Sequence, residues 1–219
     1  MNAPREVTRP VPRTLSARPR APLSLYARSR AVPATLAALA CATLLTLWAA
    51  SVPDAFLDPY RRVPLVSLAP LAVSAAIGAS LHVHGRDLDD TAVRAWWPRR
   101  LAHLLVLTTL GATALALTLP GNAQVFGSAA MVRNTLGAVG VTALGAVLFG
   151  ARAGWMPTTL YFSTVYLSAG SPRMRSATIL TWPVQTGPQR GAWAAALALF
   201  VLGAGLYAVR GARPEGPRG

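Results

Sequence analysis

The feature that most constrains this chain is its arrangement of long apolar blocks, mostly Ala, Leu and Val, separated by short arginine-bearing gaps. Six blocks can be delimited: Ala31 to Ala50, Val63 to Val83, Leu101 to Leu119, Met131 to Phe149, Trp155 to Gly170 and Ala192 to Val209. A hydrocarbon layer about 30 Å thick is crossed by roughly 20 mostly apolar helical residues, and several of these blocks meet that length with few or no charges. In lipid, a helix satisfies its own backbone polar groups. The expected fold class is therefore all-α, a polytopic membrane helix bundle of about six transmembrane helices over residues 31–210.

The flanks differ in character. Residues 1–30 carry seven arginines and five prolines, too little apolar material to bury, and are expected to form a disordered cytoplasmic tail. Residues 211–219 form a short C-terminal tail. The run from Ala31 to Ser51 is longer than the apolar region of an ordinary signal peptide, so it is expected to be a retained span.

Charge then sets the expected orientation. Net charge is +14, and all 21 basic residues are arginine. Counted over alternate connections of the six-span reading, fifteen arginines fall on the side of the N-terminus and six on the other, which places both termini in the cytoplasm. The arginines fill gaps between apolar blocks and do not form a stripe interleaved with stacking aromatics, so membrane topology, not nucleic acid, accounts for them. The absence of lysine removes a P-loop, whose lysine must reach the nucleotide phosphates. The lone Cys41 sits inside an apolar run and supports neither a disulfide framework nor a paired-thiol metal site. No paired carboxylates, HExxH motif or serine–histidine set lies in the spans, so no catalytic residue and no cofactor is assigned.

The stretch "HGRDLDDTAVRAWWPRR", residues 84–100, concentrates charge of both signs between the second and third blocks. Asp87 can cap a helix start, and Asp89 and Asp90 then lie in a first turn where the helix dipole favours acids. Asp90 and Arg94 stand four apart with the acid first. Leu88, Ala92, Ala95 and Trp96 share one apolar side, adjoined by Val93 and Trp97, and Pro98 ends this helix or opens the next. The expectation is a short amphipathic helix near residues 87–97 on the inner membrane surface. Trp96 and Trp97 would sit at headgroup depth, with Arg99 and Arg100 toward lipid phosphate. Its exposed acidic end is either part of a plain interfacial linker or a docking point for a soluble partner.

Other residues carry paired readings. Arg133, beside Asn134 near the start of the fourth block, is expected to snorkel to headgroups, and it is also the best candidate for contacting an anionic substrate. In the fifth block Thr159, Ser163 and Tyr166 share a helical face, which either bonds backbone and neighbouring helices or lines a polar path. His82 and His84 point to different faces and complete no metal site, while His103 is expected to hydrogen-bond a neighbouring helix. Ala138, Thr142, Ala146 and Gly150 recur every four positions and would admit a close helix neighbour. Residues 171–191 are either an outer loop anchored by Trp182 or a re-entrant segment.

Six spans, internal termini, an amphipathic segment after the second span and no nucleotide motif resemble the permease subunits of bacterial ABC transporters, specifically the small exporter-type permeases of actinobacteria. "RDLDDTAVRAWWPRRLAHL", "MVRNTLGAVG" and "LFGARAGWMPTTLY" carry the likeness. The resemblance implies that the 87–97 segment is a coupling helix seated on a separate cytoplasmic ATPase through Asp87, Asp89, Asp90 and Arg94. It further implies a homodimer or a heterodimer with a second permease, and location in the bacterial plasma membrane. A non-transporting membrane scaffold or immunity-type protein is the other reading of the same pattern.

Overall fold

The computed structural model describes residues 31–51, 68–82, 96–119, 127–168, 179–185 and 187–214. Among them are six α-helices and no strand: α1 (Val32–Ser51), α2 (Ala69–Ser80), α3 (Trp97–Thr118), α4 (Gly127–Phe149), α5 (Trp155–Ser168) and α6 (Arg190–Arg210), with a short 3-10 turn at Trp182–Val184 before α6. The fold is an all-helical bundle suited to a membrane. Four helices, α1, α3, α4 and α6, are long and apolar enough to cross one.

The other two are short. At 1.5 Å per residue, the 12 residues of α2 span about 18 Å and the 14 of α5 about 21 Å, less than a hydrocarbon layer. Each of the six helices lies where an apolar block predicts one, with shifted ends. α4 starts four residues before the expected Met131, and α3 starts at Trp97 with Pro98 in its first turn, where a proline's missing N–H costs nothing. Residues 63–67, 83, 169 and 170 of the expected second and fifth spans lie outside the described residues, as do residues 1–30 and 215–219.

α4 is the centre. Within its most apolar window 61% of residues are buried, against 22% for α1, and it packs on α2, α3, α5 and α6, whereas α1 rests on α2 and α3 at the edge. Small residues on every side of α4 make this possible, because neighbours can then approach from each direction. Toward α6 the two backbones touch. A Cβ placed on Gly140 would come within 2.5 Å of the Leu199 carbonyl oxygen, and one on Gly203 would overlap the carbonyl of Gly140. The stripe Ala138, Thr142 and Ala146 is used within the chain: the Thr142 methyl fills the space over Gly78 of α2, and its hydroxyl lies 2.7 Å from that of Thr158 on α5.

The helices alternate in direction, and their ends are tied accordingly. At the carboxy-terminal end of α4, the Arg213 backbone N–H donates to the Ala146 carbonyl (2.9 Å) and its guanidinium to that of Leu148 (3.0 Å). A cation is favoured there, where α4 leaves its last carbonyls without helical donors. Gly211, at φ +70°, ends α6 and faces the guanidinium of Arg100 at the start of α3.

The backbone contact between α4 and α6 yields a direct expectation. Gly203→Leu should destabilise the folded protein by about 1–3 kcal/mol or more, since overpacking must separate the two helices. Gly205→Ala faces open space and should be neutral or slightly stabilising. Thermal denaturation of the purified protein in detergent compares the two.

Candidate functional site

At the amino-terminal end of α4, the second helical turn carries Arg133 and Asn134, both without any exposed surface. Arg133 Nε donates to Asn134 Oδ1 (3.0 Å) and Nη2 to the carbonyl of Gln185 (2.8 Å), while Asn134 Nδ2 donates to the carbonyl of Pro183 (2.6 Å). From α5, the Tyr161 hydroxyl donates to the carbonyl of Leu180. Gln185 Nε2 in turn donates to Thr181 Oγ1 (2.7 Å), closing the segment on itself. Three side chains on two helices thus hold three carbonyls of one non-helical turn. That arrangement answers the requirement that irregular backbone at membrane depth be satisfied by protein.

Trp182 is the body of this turn. It is 1% exposed and lies on Gly137, where an added Cβ would overlap its six-membered ring. Phe162 meets it edge-on, with centroids 5.3 Å apart and planes at 84°, and Tyr161 lies nearly parallel at 6.2 Å. Ala138, Ala192 and Ala196 complete the cluster. In the segment 171–191 the Trp182–Val184 turn packs on α4, α5 and α6, while Ile179 and Leu180 beside it are exposed.

This placement corrects the expectation that Arg133 snorkels. Arg133, Gly137 and Gly140 fall at i, i+4 and i+7, so Arg133 shares the face that meets Trp182 and α6 and points into protein. Arg100 departs from expectation for a related reason. It lies on the stripe Leu104, Leu107, Gly111 and Leu115 that faces the core, and it is only 8% exposed, turned toward Gly211 and not toward lipid phosphate. Trp97 is 53% exposed, and the exposed Arg99 guanidinium lies 4.9 Å from the ring centre of the half-buried Trp96.

Asp87, Asp89, Asp90 and Arg94 lie outside the described residues. So do His84 and the other acidic residues of the chain, so the described residues contain no Asp or Glu at all. Thr159 and Ser163 are half-buried and Tyr166 is buried on α5; the Thr159 hydroxyl donates to the Trp155 carbonyl of its own helix at 3.1 Å. Thr159, Ser163 and Tyr166 share the side of α5 that also carries Phe162, which stands three residues after Thr159 and four before Tyr166. His103 Nε2 lies 3.2 Å from Ser80 Oγ of α2, the helix-to-helix bond expected of it. No group of three or more metal-ligating side chains occurs among the described residues.

Sequence reasoning picked out Arg133 and Trp182 separately but missed that they meet, and missed Asn134, Gly137, Tyr161 and Gln185 as their partners. One signal was available: a glycine exactly one turn after an arginine inside an apolar run, on the same face. No family model, no curated protein and no solved structure matches the chain.

The geometry predicts that Asn134→Leu, which keeps the branched shape and removes the donor, leaves the Pro183 carbonyl buried without it and destabilises the protein by about 1–3 kcal/mol. Thr164→Val, whose hydroxyl serves only its own helix, should change stability far less. Denaturant titration in mixed micelles measures both.

Proposed function

We propose that the chain is the membrane-spanning permease subunit of an ABC-type transporter, acting in export and driven by a separate cytoplasmic ATPase. The observation that supports this reading most is the buried Arg133–Asn134 pair. Ionisable side chains within membrane spans are costly, and they are found where a substrate or ion route, or a moving element, requires them. The pair holds one irregular turn between α5 and α6, and in this reading that turn is the moving element.

Further support comes from the distribution of arginine. Arg99 and Arg100 at the start of α3, Arg152 in the turn after α4, and Arg210 and Arg213 at the end of α6 gather at one end of the bundle. On the positive-inside rule that end faces the cytoplasm, with both termini, and the Trp182 turn belongs to the outer half. The segment 87–97 falls between α2 and α3 in the sequence. In this reading Asp87, Asp89, Asp90 and Arg94 dock the ATPase, and Trp96, Trp97 and Arg99 anchor the helix in the interface. Nucleotide hydrolysis belongs to the partner, and a second permease copy or a related chain completes the pathway in the bacterial plasma membrane.

The test is purification of the full chain from its own membranes. A stoichiometric partner bearing nucleotide-binding motifs is expected. Combined charge reversal at Asp87, Asp89 and Asp90 should abolish its retention, or uncouple its ATP hydrolysis from transport, while membrane insertion is unchanged. Repeated absence of such a partner, or full ATPase binding and coupling by the triple variant, supports the scaffold reading instead.

A further inference from the structure

α5 and α6 both pack on α4 but barely touch one another, and the turn around Trp182 stands between them in contact with all three. The slot it fills has a defined chemistry. Its floor is Gly137, one wall is Tyr161 and Phe162, and the other is Ala192 and Ala196. At its mouth stand two donors, Arg133 and Asn134, each aimed at a backbone carbonyl of the turn. The occupant is therefore an apolar, aromatic body carrying hydrogen-bond acceptors at one end.

We propose that this slot is a ligand site occupied by the chain's own Trp182 turn, and that its external ligand is an amphipathic anion whose apolar body replaces Trp182 and whose acidic head replaces the carbonyls of Pro183 and Gln185. The inference rests on the permease reading only in making the slot part of a transport route; occupancy itself needs no ATPase. For the two donors the exchange is even, and the carbonyls of Pro183 and Gln185 pass to water. Arg133 and Asn134 keep acceptors throughout, and Arg133 trades a neutral carbonyl for a charged oxygen, the stronger of the two hydrogen bonds. A 3-10 turn of three residues has little backbone ladder of its own, so its position depends on side chains that a ligand can capture. Withdrawal of the turn exposes Thr181, which is 1% exposed when the slot is filled.

The reporter is the full chain in lipid nanodiscs with Cys41→Ser and Thr181→Cys, labelled with a water-soluble maleimide. Labelling tracks local opening, so it should be slow at rest and rise about tenfold with submicellar dodecyl phosphate, but not with dodecyltrimethylammonium. Arg133→Gln should remove the response to dodecyl phosphate. Gly137→Ala, whose Cβ displaces Trp182 and leaves both donors in place, should raise the resting rate without any ligand. A rate that dodecyl phosphate leaves unchanged overturns the proposal, as does an equal response to both amphiphiles, which marks a surfactant effect. If Gly137→Ala fails to fold, the two amphiphiles on the reporter chain decide alone. A selective response in a chain that binds no ATPase keeps the slot and removes the permease reading.

Discussion

Hydrogen bonds from side chains to backbone carbonyls organise this bundle more than any pairing of charges does. In lipid each carbonyl freed from a helix must find a donor, and the described residues offer arginine, asparagine and hydroxyl donors but no carboxylate. The arginines are therefore placed on carbonyls: Arg133 on Gln185 and Arg213 on Leu148, at opposite ends of α4. The Trp193 indole N–H, on the Gly187 carbonyl at 2.9 Å, applies the same solution at the entry to α6. Hydroxyls inside the helices turn back on their own carbonyls, as Thr46, Thr108 and Thr135 do, which leaves few side chains able to bridge elements. Among the described residues, Thr142 to Thr158, Ser80 to His103, Arg213 to Leu148 and the Trp182 clamp are polar contacts that bridge elements.

That arrangement depends on α4 being small on all sides. Its glycines admit α6 at backbone distance and the Trp182 ring on the next turn, while Thr142 meets α2 and α5 and Ala138 joins the Trp182 cluster. Glycine is poor helix material in water, but in a helix surrounded by others the loss is offset by dispersion contacts along the close approach. Separating α4 from α6 would also remove the wall against which Trp182 packs, because Ala192 and Ala196 are on α6. Core packing and the candidate site are therefore one structure.

The sequence made the helices legible because apolar block length is a direct consequence of bilayer thickness, and each of the six blocks contains a described helix. It made facing far less legible. Ala, Gly, Thr and Leu recur around the whole circumference of α4, so periodicity could not separate a lipid face from a protein face, and the stripe ending at Gly150 was no more prominent than the one holding Arg133, Gly137 and Gly140. Arg100 illustrates the same difficulty at an end. Its neighbour Arg99 is exposed, and only the register of Leu104, Leu107 and Leu115 shows which of the two turns inward. His103 was readable because a lone imidazole in an apolar run has few partners other than a hydroxyl on the next helix. The Trp182 clamp was not, since Asn134 and Pro183 are 49 residues apart and nothing local links them.

The position of the clamp decides which parts of the bundle can move independently. Arg133 and Asn134 lie on the most buried helix, which cannot shift without disturbing four neighbours, whereas the turn they hold touches only three elements and has no helical ladder beyond Val184. In the proposed exchange the turn is therefore the part that is released, and α4 is the part that stays. The remaining tie, Tyr161 to Leu180, comes from α5, a helix too short to be fixed by spanning the membrane and joined to α4 through Thr142 and Thr158 deeper in the bundle. Release of the turn would break the Leu180 bond while the Tyr161 and Phe162 rings remain as a wall of the slot. It would leave Arg133 and Asn134 in place to bind whatever acceptor arrives next.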